Sequence, residues 1–170
     1  MIVLGIDPGL ANTGWGIIEE RSGQVRGRAY GCIKTSAGSD LAVRLRHIAD
    51  DLNAVVERYH PEEAAIEGVY FGANVRSAIP TAHARGAALV ACSLCGVEVG
   101  EYTPMQIKQA VVGTGAADKA QVAYMVRTLL HLDHDHAADA LACAICHTHL
   151  RRTAQLSKGS YMIERGNGYS

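Results

Sequence analysis

The sequence has no long apolar run, no strong excess of basic residues and no low-complexity block. Since no apolar stretch approaches the roughly 20 residues of a transmembrane helix, no membrane span is expected. The N-terminus lacks a basic region followed by an apolar core, which argues against export, so we expect a cytoplasmic protein. The net charge of −1 by itself argues against nucleic-acid binding, although basic residues outnumber acidic ones after Glu67.

The composition is that of an ordinary globular protein, with 48% hydrophobic and 19% charged residues. A chain of 170 residues is long enough for one domain with a substantial core. We expect that domain to cover residues 1–152, because the segment 153–170 is polar and aperiodic and is typical of a flexible C-terminal tail.

Five cysteines include two Cys-x-x-Cys pairs, Cys92/Cys95 and Cys143/Cys146, a spacing that zinc sites also use. Both pairs lie in Ala- and Leu-rich helical patterns, whereas structural zinc pairs usually come from tight turns. Because cysteine also behaves as a small hydrophobic residue, we interpret both pairs as buried thiols.

The first 18 residues place an acidic side chain at the end of a predicted buried strand. The apolar segment 2–6 leads directly into Asp7 and a Pro8-Gly9 turn, and a second apolar run at 15–18 predicts the other strand of a hairpin. A charge at that position is costly unless a partner compensates it. Asp7 can therefore cap the turn, bind a metal ion, or belong to a phosphate-binding hairpin that resembles those of actin, sugar-kinase and Hsp70-type ATPases.

Further along the chain, helical and strand patterns alternate, which predicts an α/β fold. The predicted elements are a strand at 25–35, a helix at 41–59, a strand at 64–66, a helix at 76–94, a strand at 97–102, and helices at 104–112, 118–132 and 136–150. The strand at 64–66 ends in Glu67 and Gly68, as the first strand ends in Asp7. Parallel pairing of these two strands across a helical connection would bring both acids to one edge of the sheet.

The last predicted helix adds two polar residues, His136 and Asp139, which lie on one face at a spacing of i and i+3. Taken alone, Asp139 can simply favour the helix N-terminus and His136 can be a surface residue. Together with Asp7 and Glu67, however, the group would be strongly repulsive unless divalent cations bound between its members. Oxygen ligands suit Mg²⁺ or Mn²⁺, and such a site fits two-metal hydrolysis of a phosphodiester, with His136 as fourth ligand or water-activating base.

An ordered set of motifs over residues 1–150 resembles the RuvC family of Holliday-junction resolvases. The motifs are Gly5-Ile6-Asp7-Pro8-Gly9 with a glycine further on, Ile66-Glu67-x-Val-Tyr70, Ala84-Arg85-Gly86, Tyr102-x-Pro-x-x-Ile-Lys108, Val112-Gly-x-Gly-x-Ala-x-Lys119-x-Gln121-Val122 and Ala137-Ala138-Asp139-Ala140-Leu141-Ala142. The resemblance implies an RNase H-like fold with a five-stranded mixed sheet flanked by helices. It also implies a homodimer and metal-dependent, symmetric nicking of four-way DNA junctions at T-containing sites.

The resemblance also implies roles for single residues. Asp7, Glu67 and Asp139 match the acidic ligands of two metal ions, whereas His136 stands where many family members carry an aspartate. Some members carry histidine there, so activity remains expected, and Asp135 is a rival ligand that N-capping explains equally well.

Aromatic and basic residues near these positions are the candidates for DNA contact. Tyr70 and Phe71 follow Glu67, and exposed rings there would stack on unpaired bases, although aromatic residues more often fill a core. By resemblance, Lys108 and Lys119 would contact phosphates. The weaker candidates are Arg76 and Arg85.

Two other functions remain open at the level of sequence. A non-catalytic junction-binding or regulatory protein would share the fold without cutting DNA. An actin- or Hsp70-like ATPase needs two related domains and a second phosphate loop, which this length and sequence do not supply. The sequence also leaves open the preferred metal, the cleavage sequence and a partnership with a branch-migration motor.

Overall fold

A computed structural model describes residues 1–68, 75–132 and 137–164 of the chain, and their side chains except at 75–77 and 152–164. The strands are β1 (Ile2–Asp7), β2 (Asn12–Arg21), β3 (Gln24–Lys34), β4 (Glu63–Glu67) and β5 (Glu98–Tyr102); the helices are α1 (Leu41–Tyr59), α2 (Val75–Leu94), α3 (Pro104–Val112), α4 (Lys119–Leu130) and α5 (Ala138–Glu164). None of the described helices is both long enough and apolar enough to cross a membrane.

The five strands form one sheet in the order β3-β2-β1-β4-β5. The hairpins β1–β2 and β2–β3 are antiparallel, whereas β1, β4 and β5 run parallel to one another. Helices α1 and α2 cover one face of the sheet, and α3, α4 and α5 cover the other. The predicted α/β architecture, with a five-stranded mixed sheet flanked by helices, is confirmed.

Alternation along the central strands decides which face each acidic residue occupies. Leu4 and Ile6 of β1 and Ile66 of β4 pack toward α1 and α2. Because side chains alternate between the faces of a strand, Asp7 and Glu67 emerge on the opposite face, where α5 lies. The parallel register pairs Ile6 with Ile66, so the two carboxylates leave neighbouring strands at the same edge.

Helix α5 lies directly against β1 because small residues meet at the contact. A Cβ atom on Gly5 would stand only 1.9 Å from the carbonyl oxygen of Ala140, which is one residue beyond Asp139. Residues 140–146 of the helix are all fully buried. This close approach holds the first turn of α5, and hence Asp139, over the end of the central strands.

Two details differ from the sequence predictions. Helix α5 continues to Glu164 rather than ending near residue 150, because residues 151–164 contain no proline and include several good helix formers. The division into a domain and a flexible tail at residue 152 stays a prediction. Cys92, Cys143 and Cys146 are buried as expected, but Cys95 is exposed because it follows the end of α2, where the chain turns toward β5.

Candidate active site

Three carboxylates from three elements converge at one edge of the sheet. Asp7 is the last residue of β1, Glu67 is the last residue of β4, and Asp139 lies in the first turn of α5. Asp7 and Asp139 line one cleft, and Glu67 and Asp139 line a second. Asp139 therefore borders both clefts.

The carboxylates are partly withdrawn from water and repel one another. Burial raises the pKa of Asp7, and the charge of Asp139 raises it further. The pKa of Glu67 is also raised, first by burial and then by the charges of Asp7 and Asp139. A cluster with these properties binds positive charge strongly, because a cation relieves both the desolvation and the repulsion.

Lys119 supplies one such positive charge. Its ammonium nitrogen lies 2.6 Å from Oδ2 of Asp139, and the hydrogen bond and charge of that carboxylate raise the pKa of Lys119. A capping box of Asp118 and Gln121 holds the start of α4, and so fixes where the Lys119 stem leaves the backbone. The charge of Lys108, from α3, opposes the rise in the Glu67 pKa, so both predicted lysines lie near the carboxylates.

The Lys119–Asp139 pair separates two open clefts. The larger, of about 830 Å³, lies on the Asp7 side, and the smaller, of about 280 Å³, lies on the Glu67 side. Tyr30 and Lys34 of β3 form part of the wall of the larger cleft. A β-bulge between β2 and β3 changes the alternation near Arg28, and this places the later residues of β3 on the side of the cleft.

Comparison with known proteins identifies the family to which this fold and site belong. The model of the family "Crossover junction endodeoxyribonuclease RuvC" matches residues 3–147. The chain belongs to the RuvC family.

Relatives match over nearly their whole length. The RuvC protein of Saccharophagus degradans is 45% identical over 168 residues, which is 97% of this chain and 97% of that protein. The RuvC protein of Syntrophomonas wolfei is 44% identical over 164 residues, or 94% and 95% of the two chains. The structure of Thermus thermophilus RuvC in complex with a Holliday junction substrate matches with a TM-score of 0.85 and 37% identity, covering 91% of this chain and 96% of that one.

RuvC proteins are nucleases that require a divalent metal, and the donor atoms at this site fit that requirement. Asp7, Glu67 and Asp139 present only carboxylate oxygens, the ligands that Mg²⁺ and Mn²⁺ prefer. Burial, and then the charges of the neighbouring carboxylates, raise the pKa values of Asp7 and Glu67, and a bound cation would oppose both effects. Among the described residues, no group of three or more His, Cys, Asp or Glu side chains is arranged as a preformed metal site. In this structure the ion-pair partner of Asp139 is Lys119.

The turn that follows Asp7 is held by hydroxyl groups that the sequence analysis did not single out. The Thr13 hydroxyl, fully buried, donates to the Gly9 carbonyl at 2.8 Å, and the Thr35 hydroxyl donates to the Leu10 carbonyl at 2.5 Å. Arg44 in turn donates to the Thr35 hydroxyl. Neither threonine is a strong signal in sequence, since Thr35 follows β3, far from the turn in the chain, and only the fold shows which carbonyl each hydroxyl reaches.

The structure brings together four of the predicted site residues, Asp7, Glu67, Asp139 and Lys119, and places Lys108 beside them. Arg85 lies elsewhere, because its guanidinium forms an ion pair with Glu101 on the opposite face of the sheet. The remaining predicted residues, which are Tyr70, Phe71, Asp135 and His136 together with the side chain of Arg76, lie outside the described residues.

Proposed function

We propose that this protein resolves four-way DNA junctions by paired, symmetric nicks in recombination and repair. The observation that carries the proposal is the convergence of Asp7, Glu67 and Asp139 at one edge of the sheet in a chain of the RuvC family. The relative from Thermus thermophilus, solved with a Holliday junction substrate, supports the same class of substrate for this chain.

We further propose that the three carboxylates, with His136, hold two Mg²⁺ or Mn²⁺ ions per active site. When bound, such ions activate the attacking water and stabilise the leaving oxygen of the phosphodiester. The carboxylates would orient the ions from β1, β4 and α5, and the Asp7 turn would be kept in place by Thr13 and Thr35. His136 would act as a ligand or as the base that accepts the proton from water.

The lysines would bind the scissile strand. Lys119 is 82% exposed although its ammonium contacts Asp139, so its side chain is accessible to a DNA phosphate. Lys108 and Lys119 would neutralise phosphates without reading sequence. Tyr70 and Phe71 would stack on bases that are unpaired at the centre of the junction, and Arg76 would add a phosphate contact.

A homodimer would supply the symmetry that paired nicking requires. Helix α2 exposes an apolar stripe at helical spacing, which includes Ile79, Val90 and Leu94, exposed by 50%, 56% and 77%. Two copies meeting along such a stripe would bury it and would present two identical sites to the two equivalent strands of a junction. A branch-migration motor is a further candidate partner, and we expect the protein to act in the cytoplasm.

The decisive experiment incubates the protein with a labelled synthetic four-way junction in Mg²⁺, in Mn²⁺ and in EDTA. We expect symmetric nicks in either metal and none in EDTA. Asp7→Asn and Glu67→Gln should bind the junction but not cut it, because lysines supply the binding and metal ions supply the chemistry. Binding without cleavage by the wild-type protein would favour the non-catalytic alternative, and cleavage by Asp7→Asn near the wild-type rate would contradict the assignment of the metal site.

A further inference from the structure

A buried polar cluster lies on the same helix as Asp139, two turns further along. His147 of α5 is only 7% exposed, and both of its ring nitrogens have partners. Nδ1 lies 2.8 Å from the Tyr102 hydroxyl and Nε2 lies 2.5 Å from Oε2 of Glu63. The other oxygen of Glu63 accepts from the guanidinium of Arg151, one turn beyond His147.

Donors and acceptors in this cluster match in a single arrangement. The Glu63 carboxylate can only accept hydrogen bonds, so Nε2 of His147 carries the ring proton and donates a hydrogen bond to Glu63. Burial lowers the pKa of His147 and therefore favours the neutral ring, whose Nδ1 accepts from the Tyr102 hydroxyl. Burial also raises the pKa of Tyr102 to about 12, so that hydroxyl keeps its proton. The four side chains thus form a continuous, satisfied chain of hydrogen bonds.

The partners of His147 belong to the strand that carries Glu67 and to the strand beside it. Glu63 is the first residue of β4, and Glu67 is its last. Tyr102 is the last residue of β5; it stands opposite Glu67 in the sheet, and its carbonyl accepts the Gly68 N–H at 2.9 Å. A single side chain of α5 therefore contacts both β4, which carries Glu67, and its neighbour β5.

The position of His147 along α5 separates it from the candidate metal ligands. It lies eight residues after Asp139 on one helix, a rise of about 12 Å, so its ring does not contact that carboxylate. The first turn of α5 is held by the Gly5–Ala140 contact, which prevents closer approach but does not by itself stop the helix from sliding or rotating. A second, directional anchor further along the helix would remove that freedom.

We propose that His147 is a positioning residue, which sets the placement of Asp139 relative to Glu67 by tying α5 to the strands β4 and β5 through Glu63 and Tyr102. This inference rests on the proposed function and deepens it. Asp139 and Glu67 come from different elements, so their separation depends on how α5 lies on the sheet. The His147 cluster determines that placement.

Two variants and one matched control test the proposal. His147→Leu keeps the approximate volume of the ring but removes both hydrogen bonds, and Tyr102→Phe removes one of them while keeping the aromatic ring. Thr148→Val is the control, because Thr148 is also buried on α5 but donates its hydroxyl to the Ile145 carbonyl of its own helix. Circular dichroism would define a temperature at which all the proteins are folded.

The first measurement is Mn²⁺ binding to the full-length protein without DNA, detected through the electron paramagnetic resonance signal of the free ion. The second is the rate of single-turnover junction cleavage, with junction affinity measured separately. His147→Leu and Tyr102→Phe should weaken Mn²⁺ binding and slow cleavage by about tenfold or more, since misplacement of a reacting group by about 1 Å costs up to about a hundredfold. Junction affinity should stay near that of the wild type. Thr148→Val should lose stability without either change.

Wild-type Mn²⁺ affinity and cleavage rate in folded His147→Leu and Tyr102→Phe would overturn the proposal and leave the cluster a role in stability alone. If His147→Leu does not fold, the same two values for Tyr102→Phe decide the matter. If the wild-type protein does not cut junctions, the proposed function fails, but the Mn²⁺ titrations still measure whether His147 positions the carboxylates.

Discussion

Replacement of Gly5 by alanine tests whether the direct contact between β1 and α5 positions the active site. The new methyl group would lie 1.9 Å from the Ala140 carbonyl oxygen and 2.8 Å from the carbonyl carbon, both of them backbone atoms. No change of rotamer relieves a clash with backbone. The first turn of α5 must therefore move away from the sheet by about 1 Å or more, since ordinary carbon–oxygen contacts exceed 3 Å.

The size of the effect follows from that displacement. Overpacking a close contact costs typically up to about 3 kcal/mol, and a domain of this size loses about 2–4 °C in Tm for each kcal/mol, so we expect a fall in Tm of up to about 6–12 °C. Because Asp139 directly precedes Ala140, its carboxylate would move with the helix. A shift of about 1 Å in a group that orients the reaction costs about a hundredfold in rate.

The assay combines thermal unfolding with single-turnover cleavage of a four-way junction, the cleavage being measured at a temperature where the variant is folded. Gly38→Ala is the matched control, because Ser36 Oγ, at 3.8 Å, is the nearest atom that its Cβ would meet. The control should cut like the wild type. A Gly5→Ala protein with wild-type stability and wild-type cleavage would refute the view that this contact sets the position of Asp139.

Three further predictions concern the site itself. Without metal, the protein should lose stability as pH rises through the raised pKa values of Asp7 and Glu67, because a raised native pKa stabilises the fold only while the group is protonated. Asp7→Asn should then have a higher Tm than the wild type in EDTA at about pH 8, and equal Tm values would contradict the conclusion that burial of the charged Asp7 costs stability. Since a neutral nitrogen ligand favours Mn²⁺, His136→Asp should lower the ratio of cleavage rates in Mn²⁺ and Mg²⁺, and an unchanged ratio would mean that His136 is not a ligand. Tyr70→Ala should slow junction cleavage by up to about a hundredfold in a folded protein, and a junction built with unpaired central bases should partly restore the rate; wild-type cleavage of both substrates would exclude stacking.

Much of the fold follows from local patterns. The helix predicted at 104–112 has those bounds in the structure, because Thr103 and Gln106 form a capping box around Pro104 and Gly113 ends the helix in a left-handed conformation. The repeated strand-acid-glycine pattern correctly placed Asp7 and Glu67 at one edge. That prediction succeeded because a helical connection between β1 and β4 favours parallel pairing in neighbouring positions.

Other features depend on contacts between residues that are far apart in the chain. The exposure of Cys95 differs from the prediction because a helical pattern does not show where the helix stops being covered. The pairing of Lys119 with Asp139 requires α4 and α5 to lie side by side. The hydrogen bond between His147 and Glu63 joins residues 84 positions apart, and no spacing rule connects them.

The sequence by itself determined the α/β class, the order of the elements and the identities of the three carboxylates, because each of these depends on local periodicity, capping and strand ends. Only the tertiary structure decided which face of the sheet the carboxylates share and which cation compensates Asp139. It also decided how α5 is held against β1, β4 and β5. These properties arise from close packing at Gly5 and from the buried bonds of His147, and such contacts exist only once the chain has folded.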